Sequence, residues 1–264
     1  MRRGLVLFLV LAAFPAGAHA QGAGNATVTL NPAQAGKPTR LSLTATGDAV
    51  SSGQQPPKSV SLLVNRGFRI DPRSRAARCS AAQARAFNCP PASRIATGQA
   101  RGSATVPVFG AVQFSADIQA FLAPRAQPGD IAGVVILARE SRSGRQGAVN
   151  GRLLRVATGP FGTELRFENF DLANRQAPPG SSARLDSFTL SVQARRRVRK
   201  VRIVKRRVRT RRGTRIRRRR KMRIRRYYLI RNPRVCAGSW AYQVRATFPS
   251  APEYVRDGSV PCAS

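Results

Sequence analysis

Very few side chains of this 264-residue chain have the type and spacing needed for hydrolytic chemistry. The single histidine, His19, lies inside an N-terminal segment that has the features of an export signal. Once that segment is removed, the chain holds no histidine for a Ser-His-Asp or Cys-His arrangement. No serine stands three residues before any of the lysines, which excludes an S-x-x-K nucleophile as well.

Paired carboxylates are the remaining route to hydrolysis. Glu164 and Glu168 share a face if the strand predicted at Thr163–Phe167 runs one residue further, but four residues of strand span about 13 Å. Glycosidases hold their two carboxyl groups roughly 5 to 9.5 Å apart. We interpret the two glutamates as solvent-facing strand charges and predict that the protein is not an enzyme. A polysaccharide or wall hydrolase, with a carboxylate pair assembled across strands, is the alternative.

The four cysteines could form either a metal site or two disulfides. The chain has no C-x-x-C motif and no histidine after export, so we expect neither zinc nor any other cofactor. Cysteines of an exported chain normally form disulfides, and three pairings are possible. We predict the two local ones, Cys79–Cys89 and Cys236–Cys262, each contributing about 3 kcal/mol.

The first twenty residues predict export. Arg2 and Arg3 are followed by the apolar stretch Gly4–Phe14, and Ala18-His19-Ala20 fits the A-x-A cleavage rule. The apolar stretch is too short to cross a hydrocarbon core of about 30 Å. We therefore expect a signal peptide at residues 1–20, cleaved after Ala20, and a secreted mature chain without a transmembrane segment.

Short apolar runs with an alternating pattern, separated by turn residues, cover most of the mature chain. This pattern is typical of an all-β fold, and we predict an antiparallel β-sandwich. The runs are Thr27–Leu30, Arg40–Ala45, Val60–Val64, Ala111–Ile118, Ile131–Ala138, Arg152–Val156, Thr163–Phe167, Ser187–Val192 and Trp240–Val244.

Three local features refine this expectation. A single short helix is predicted at Ser80–Phe87, with Ser80 as its N-cap. The uncharged run Ile131–Ala138 has the length of a buried strand and not of a membrane span. Trp240 follows Cys236 closely in an alternating run, which favours a core position near a disulfide over a sugar-stacking role.

No linker clearly divides the mature chain. The segments 144–147 and 177–182 are glycine- and proline-containing loops within a domain. We predict one secreted domain over residues 21–264, interrupted by a basic segment at 195–226.

Two stretches carry a resemblance to known proteins. Residues 57–98 contain VNRGFRIDP and FNCPPASRIATG, and the C-terminal part contains YLIRNPRVCAGSWAYQVRATF followed by Cys262. Both resemble uncharacterised secreted proteins of high-GC bacteria, in which C-P-x-x-S-x-I/V-G and N-P-x-x-C…W elements recur on a predicted β-sandwich. Ala96-Thr97-Gly98 departs slightly from the commoner spelling. The resemblance implies fold and secretion only, because the family brings no known activity.

The formal net charge of +36 is concentrated in one segment. Residues 195–226, called the arm below, hold 21 Lys and Arg and no acid. Outside the arm and the signal arginines, 24 basic residues face 11 acidic ones, an ordinary balance for an exported domain. The arm is therefore the segment whose charge needs an explanation.

The arm has the pattern of a long β-hairpin. From Arg215 to Arg225 every odd position is basic, and Ile216, Met222 and Ile224 fall on even positions. The pattern slips between Ile203 and Val204, which predicts a bulge. We place the tip near Arg211–Thr214. The β-branched residues argue against the alternative of a helix.

A hairpin of this length reaches roughly 50 Å and could follow many anionic groups. Guanidinium groups pair with phosphates and carboxylates in bidentate fashion, and counterion release makes such binding steeply salt-dependent. We predict contact with anionic cell-envelope polymers or other polyanions. The expected residues are Arg195, Arg196, Arg197, Arg199, Lys200, Arg202, Arg206, Arg207, Arg209, Arg211, Arg212, Arg215, Arg217, Arg219, Arg223 and Arg225.

Two alternatives stay open for the arm. One is extracellular nucleic-acid binding, although the arm has no interleaved aromatic residues for base stacking, with only Tyr227 and Tyr228 at its edge. The other is a solvated loop whose arginines reflect GC-rich coding, since charge runs are commonly solvated.

Overall fold

A computed structural model of the chain describes residues 24–49, 51–52, 57–107, 110–168, 182–192, 195–210 and 213–264. The predicted signal peptide, most of the predicted loop at 177–182, and Arg211 and Arg212 lie outside the described residues. The described elements are mostly antiparallel strands, which confirms the all-β prediction. The strands are β1 (Asn25–Asn31), β2 (Arg40–Thr46), β3 (Ser59–Asn65), β4 (Arg69–Ile70), β5 (Arg94–Val106), β6 (Gly110–Ala123), β7 (Ala132–Glu140), β8 (Gln146–Arg155), β9 (Phe161–Glu168), β10 (Ser182–Val192), β11 (Arg195–Thr210), β12 (Gly213–Tyr228), β13 (Ile230–Arg231), β14 (Ser239–Thr247) and β15 (Tyr254–Pro261).

Eleven of these strands form one sheet, in the order β1-β2-β10-β5-β6-β7-β8-β9-β3-β14-β15. The two edge strands, β1 and β15, lie against each other. The hydroxyl of Tyr242 donates to the carbonyl of Ala26, and the hydroxyl of Tyr254 donates to that of Gly24, both at 3.3 Å. The sheet therefore bends round until its ends meet. Two further ladders, β11-β12 and β4-β13, stand apart from it.

The main core lies on the concave side of this sheet. Along β1, Ala26, Val28 and Leu30 are buried while the residues between them are exposed. Buried side chains from the other sheet strands join them in one cluster, including Leu62 of β3 and Val244 of β14. The apolar residues alternate along these strands because every second side chain points into the core.

Strand β7 is covered on both faces. Val134 and Ile136 face the main core, whereas Val135 and Leu137 belong to a second buried cluster with the Cys79–Cys89 disulfide. A strand buried on both sides shows an unbroken apolar run instead of alternation. The prediction of a buried strand at this run is confirmed.

The second cluster is capped by a short helix, α1 (Ala81–Arg85). Ser80 is its N-cap, as predicted: its hydroxyl accepts from the Gln83 amide at 3.2 Å, and the Gln83 side chain accepts from the Ser80 amide at 3.0 Å. The predicted end at Phe87 is wrong, because Phe87 adopts a φ of 52° that the helix cannot continue through. Among the described helices, none is long and apolar enough to cross a lipid bilayer.

Two long strands, β5 and β15, were not predicted from alternation. The reason is clearest for β5, where Gly98 lies opposite Leu190 of β10. A Cβ atom at Gly98 would overlap the carbonyl oxygen of Thr189. Close approach of β10 therefore requires a glycine where the strand pattern would place a larger side chain.

Both disulfides have the predicted local pairing, Cys79–Cys89 and Cys236–Cys262. Trp240 is a core residue, 3% exposed, as the sequence favours. Its indole N–H donates to the carbonyl of Val235 at 3.0 Å, and its ring meets Phe68 edge-on at 5.7 Å between centroids. Because the ring is buried, it is not available for sugar stacking.

Candidate functional site

The arm is a two-stranded antiparallel hairpin formed by β11 and β12. Its register runs without interruption from the Arg195–Tyr228 pair to the Thr210–Gly213 pair. The bulge predicted at Ile203–Val204 is therefore wrong. The apolar pattern breaks here without a bulge, since neither face of this separate hairpin must be wholly apolar.

Residues directly opposite each other in a ladder share a face. Of the described arm side chains, one face carries Arg195, Arg197, Arg199, Val201, Ile203, Arg220, Met222, Ile224 and Arg226. The other face carries Arg196, Val198, Arg223 and Arg225. For the remaining predicted contacts inside the strands the structure describes the backbone only; these are Lys200, Arg202, Arg206, Arg207, Arg209, Arg215, Arg217 and Arg219.

Most of the described guanidinium groups of the arm are open to solvent, and Arg196 is half-buried. Arg197, Arg199, Arg223 and Arg225 are all exposed. Among the described side chains, no carboxylate lies within salt-bridge distance of these four arginines. These cations repel one another, since the Debye length is about 8 Å at physiological salt. The arrangement is suited to an external polyanion.

One face of the arm also carries an apolar patch, defined here as Val201, Ile203, Met222 and Ile224. Their exposed fractions are 62%, 57%, 64% and 52%. Val201 lies directly opposite Met222, so the four side chains are neighbours on the ladder. The patch has arginines on both sides along the hairpin.

The base of the arm rests on the 3₁₀ turn Pro72–Ser74. The guanidinium carbon of Arg73 lies 5.6 Å from the ring centroid of Tyr227, and that of Arg231 lies 5.3 Å from that of Tyr228. Cation–π contacts of this length stabilise the pairs. Both tyrosines at the foot of the arm are thereby engaged by body arginines.

Beside the base of the arm is an open cleft of about 850 Å³, called the basal cleft below. It is bounded by β4, the 3₁₀ turn, the loop 124–131, the end of β8 and the residues around β13. Five arginines and two aspartates line it: Arg69, Arg73, Arg125, Arg155, Arg231, Asp71 and Asp130. Its lining is therefore strongly basic.

Each aspartate of the basal cleft is paired with an arginine. The Arg73 guanidinium contacts both carboxylate oxygens of Asp71, at 2.9 and 3.1 Å. Partial burial would raise the pKa of Asp71, but hydrogen bonds from Arg73 outweigh it and leave that pKa lowered. Hydrogen bonds from Arg152, at 2.8 and 3.1 Å, lower the pKa of the buried Asp130.

The structure corrects the interpretation of Glu164 as a solvent-facing strand charge. It is buried instead of solvent-facing, because it accepts from the Ser61 hydroxyl at 2.7 Å and from the Arg166 guanidinium at 2.8 and 3.0 Å. Burial would raise the pKa of Glu164, but the Arg166 and Ser61 hydrogen bonds lower it overall. Glu168, at the end of the same strand, is exposed as expected.

The sequence carries no signal for the arginines of the basal cleft, because they come from four separate segments of the chain. Arg69 and Arg231 lie in the two stretches that carry the resemblance, and Arg155 lies in a predicted strand, but neither pattern marks these arginines as site residues. The chain matches no protein-family model, no curated protein and no solved structure.

Proposed function

We propose that this is a secreted, non-catalytic binding protein of the cell exterior whose arginine-rich arm contacts anionic polymers. The observation that carries the proposal is the row of exposed guanidinium groups on a continuous strand pair. Such a row releases condensed counterions when it meets a polyanion, which supplies binding free energy without a shaped pocket. Bidentate pairing with phosphate or carboxylate adds to it.

A general polyanion is a better ligand for this arm than a nucleic acid read through its bases. Binding of single strands relies on aromatic side chains on which bases stack. The two tyrosines at the arm's foot, Tyr227 and Tyr228, already face Arg73 and Arg231. Extracellular nucleic acid would then bind through its phosphates alone.

The carboxylates support a non-catalytic role over a hydrolase. A glycosidase needs one carboxyl group with a raised pKa to act as general acid. Asp71 and Asp130 share the basal cleft, but both pKa values are lowered by their arginine partners. Neither would hold a proton for a leaving group at neutral pH.

We infer that the body is one domain, a sandwich into which the arm is inserted. The interior leaves two apolar cavities of about 60 Å³ each, which share Leu62, Leu165 and Phe167 in their walls. Residues of distant strands, such as Leu41 of β2 and Leu165 of β9, line both cavities, which supports two facing layers like the inner faces of a sandwich. The two disulfides support an exported chain, in line with the predicted signal and the resemblance to secreted bacterial proteins.

A second candidate ligand is an anionic lipid surface, favoured by the apolar patch. Exposed apolar side chains beside arginines are typical of elements that lie at a membrane interface. The arginines would meet the head groups, and the patch would enter the acyl boundary.

The test of the proposed function is salt elution from immobilised heparin and immobilised polyphosphate. In the arm variant, Arg197, Arg199, Arg223 and Arg225 are changed to Gln. In a matched body variant, the exposed Arg85, Arg101, Arg142 and Arg234 are changed to Gln, which removes the same charge. We expect the arm variant to elute at clearly lower salt than the body variant, because fewer counterions are released when fewer cations contact the polyanion. Equal elution of the two variants would refute the role of the arm.

A further inference from the structure

We propose that the basal cleft is a separate binding site for a small organic anion that carries two phosphate groups. The proposal rests on the charge, shape and walls of the cleft and not on the arm. Its volume of about 850 Å³ lies within the range of small-molecule sites, roughly 300 to 1,000 Å³.

The cleft holds more positive charge than its own acids neutralise. Asp71 is matched by Arg73, and Asp130 is matched by Arg152. Arg69, Arg125, Arg155 and Arg231 have no carboxylate within salt-bridge distance among the described residues. Four cationic side chains therefore line a concave surface, where field lines converge and anions concentrate.

Two of these arginines are held together by the backbone. Arg69 of β4 lies directly opposite Arg231 of β13 in a two-residue ladder. Like charges directly opposite each other in a ladder destabilise it. Asp71 offsets part of the charge of Arg231, and a bound anion between the two arginines would remove the remaining repulsion.

Part of the cleft wall is held in place by contacts within the protein. Arg231 lies over the Tyr228 ring, which restricts its guanidinium. The loop that carries Arg125 is fixed by Asp130, which accepts from the Gln127 amide at 3.0 Å and from Arg152. A site formed in advance loses less entropy when a ligand binds.

The number of available charges indicates the ligand. One phosphate carries about −1.5 to −2 at pH 7, so two phosphates match four guanidinium groups, whereas one carboxylate matches a single one. Ile70, Ile131 and the Tyr228 ring also line the cleft and offer an apolar surface to the organic part. A sugar bisphosphate has both features, and the terminal diphosphate of a polymer shares the phosphate chemistry.

Isothermal titration calorimetry of the full chain at about 150 mM salt tests the site, a salt level at which loose phosphate contacts are weakened. The probes are glucose 1,6-bisphosphate, pyrophosphate, glucose 1-phosphate and glucose. We expect glucose 1,6-bisphosphate to bind at least about tenfold more tightly than glucose 1-phosphate, and glucose not to bind. Tighter binding of pyrophosphate than of the bisphosphate would identify the natural ligand as the diphosphate terminus of a polymer. Equal affinity for one and two phosphates would overturn the proposal.

Variants separate the cleft from the arm. Arg69→Gln and Arg231→Gln should each weaken the bisphosphate about tenfold, while heparin elution stays nearly unchanged. Arg125→Gln, on an exposed loop, gives the same test if a ladder variant fails to fold. The arm variant should keep its bisphosphate affinity within about twofold. Loss of affinity in the arm variant alone would assign the phosphate to the arm and refute the cleft. Failure of the arm on heparin would leave the cleft proposal standing.

Discussion

The guanidinium of Arg231 lies over the ring of Tyr228, with 5.3 Å between the guanidinium carbon and the ring centroid. Tyr228 is the last residue of the arm's second strand, and Arg231 lines the basal cleft. The foot of the arm thus forms part of the cleft wall.

The approach of β10 to β5 predicts a strong effect of Gly98→Ala. The added methyl group would meet the carbonyl oxygen of Thr189, which cannot move without shifting the strand. We expect a loss of about 3 kcal/mol in the free energy of unfolding, measured by urea denaturation. In the control Gly36→Ala, the methyl group meets nothing within 4 Å, and the loss should be about 1 kcal/mol from its φ of +66°. Equal losses would show that β10 has room to move.

The two disulfides should differ in their contribution because they close loops of different length. The sequence separation is 26 residues for Cys236–Cys262 and 10 for Cys79–Cys89. Loop entropy predicts losses of about 3.5 and 2.7 kcal/mol for the paired Cys→Ser variants. Unfolding by urea of the two double variants measures this. A larger loss at Cys79–Cys89 would mean that packing in the second cluster outweighs loop length.

The lowered pKa of Glu164 predicts a pH effect of defined sign. The folded protein binds fewer protons at this group than the unfolded chain, so its stabilisation is complete above the unfolded pKa of about 4.3 and is lost as pH falls through the lower folded value. Glu164→Gln should cost about 1 kcal/mol at pH 7, and the difference from the unmodified protein should shrink below about pH 4.

The measurement for Glu164 is thermal or urea unfolding at several pH values, with the exposed Glu253→Gln as the control. The control should change stability by less than about 0.5 kcal/mol at every pH. A Glu164→Gln difference that persists unchanged at pH 3 would contradict the pKa assignment.

The apolar patch predicts that the arm binds anionic membranes partly through apolar contacts. Changing Val201 and Met222 to Ser should weaken binding to phosphatidylglycerol vesicles at least about tenfold, because burial of such side chains is worth about 1.5 to 3 kcal/mol each. Elution from heparin should not change, since every charge is kept. Sedimentation with vesicles measures the first and salt elution the second.

A matched control for the patch replaces Val235 and Val255, which are exposed on the body. These changes should leave vesicle binding unaffected. If the patch variant binds vesicles as well as the unmodified chain does, the patch does not enter the bilayer.

Most of the sheet could be predicted because a strand with one buried face must alternate. A strand that is not buried on one face only does not show this alternation of apolar and polar residues. Strand β7 is buried on both faces and therefore shows an unbroken apolar run. Strand β5 needs glycine where β10 approaches it closely, so its alternation is weak. Glu164 was misassigned because its burial depends on Ser61 of the neighbouring strand β3, which local alternation does not report.

Local patterns in the sequence predict the strand-rich character and the basic hairpin, and they favour the local disulfide pairing among three possible ones. Alternation, cysteine spacing and charge density act over short stretches of chain, and a hairpin needs only a turn between adjacent strands. The basal cleft was decided by tertiary structure alone. Strands β3 and β14 are antiparallel neighbours, so β4, which follows β3, and β13, which precedes β14, emerge at the same end of the sheet. Only that packing of distant segments places Arg69 opposite Arg231, because no local pattern in the chain connects them.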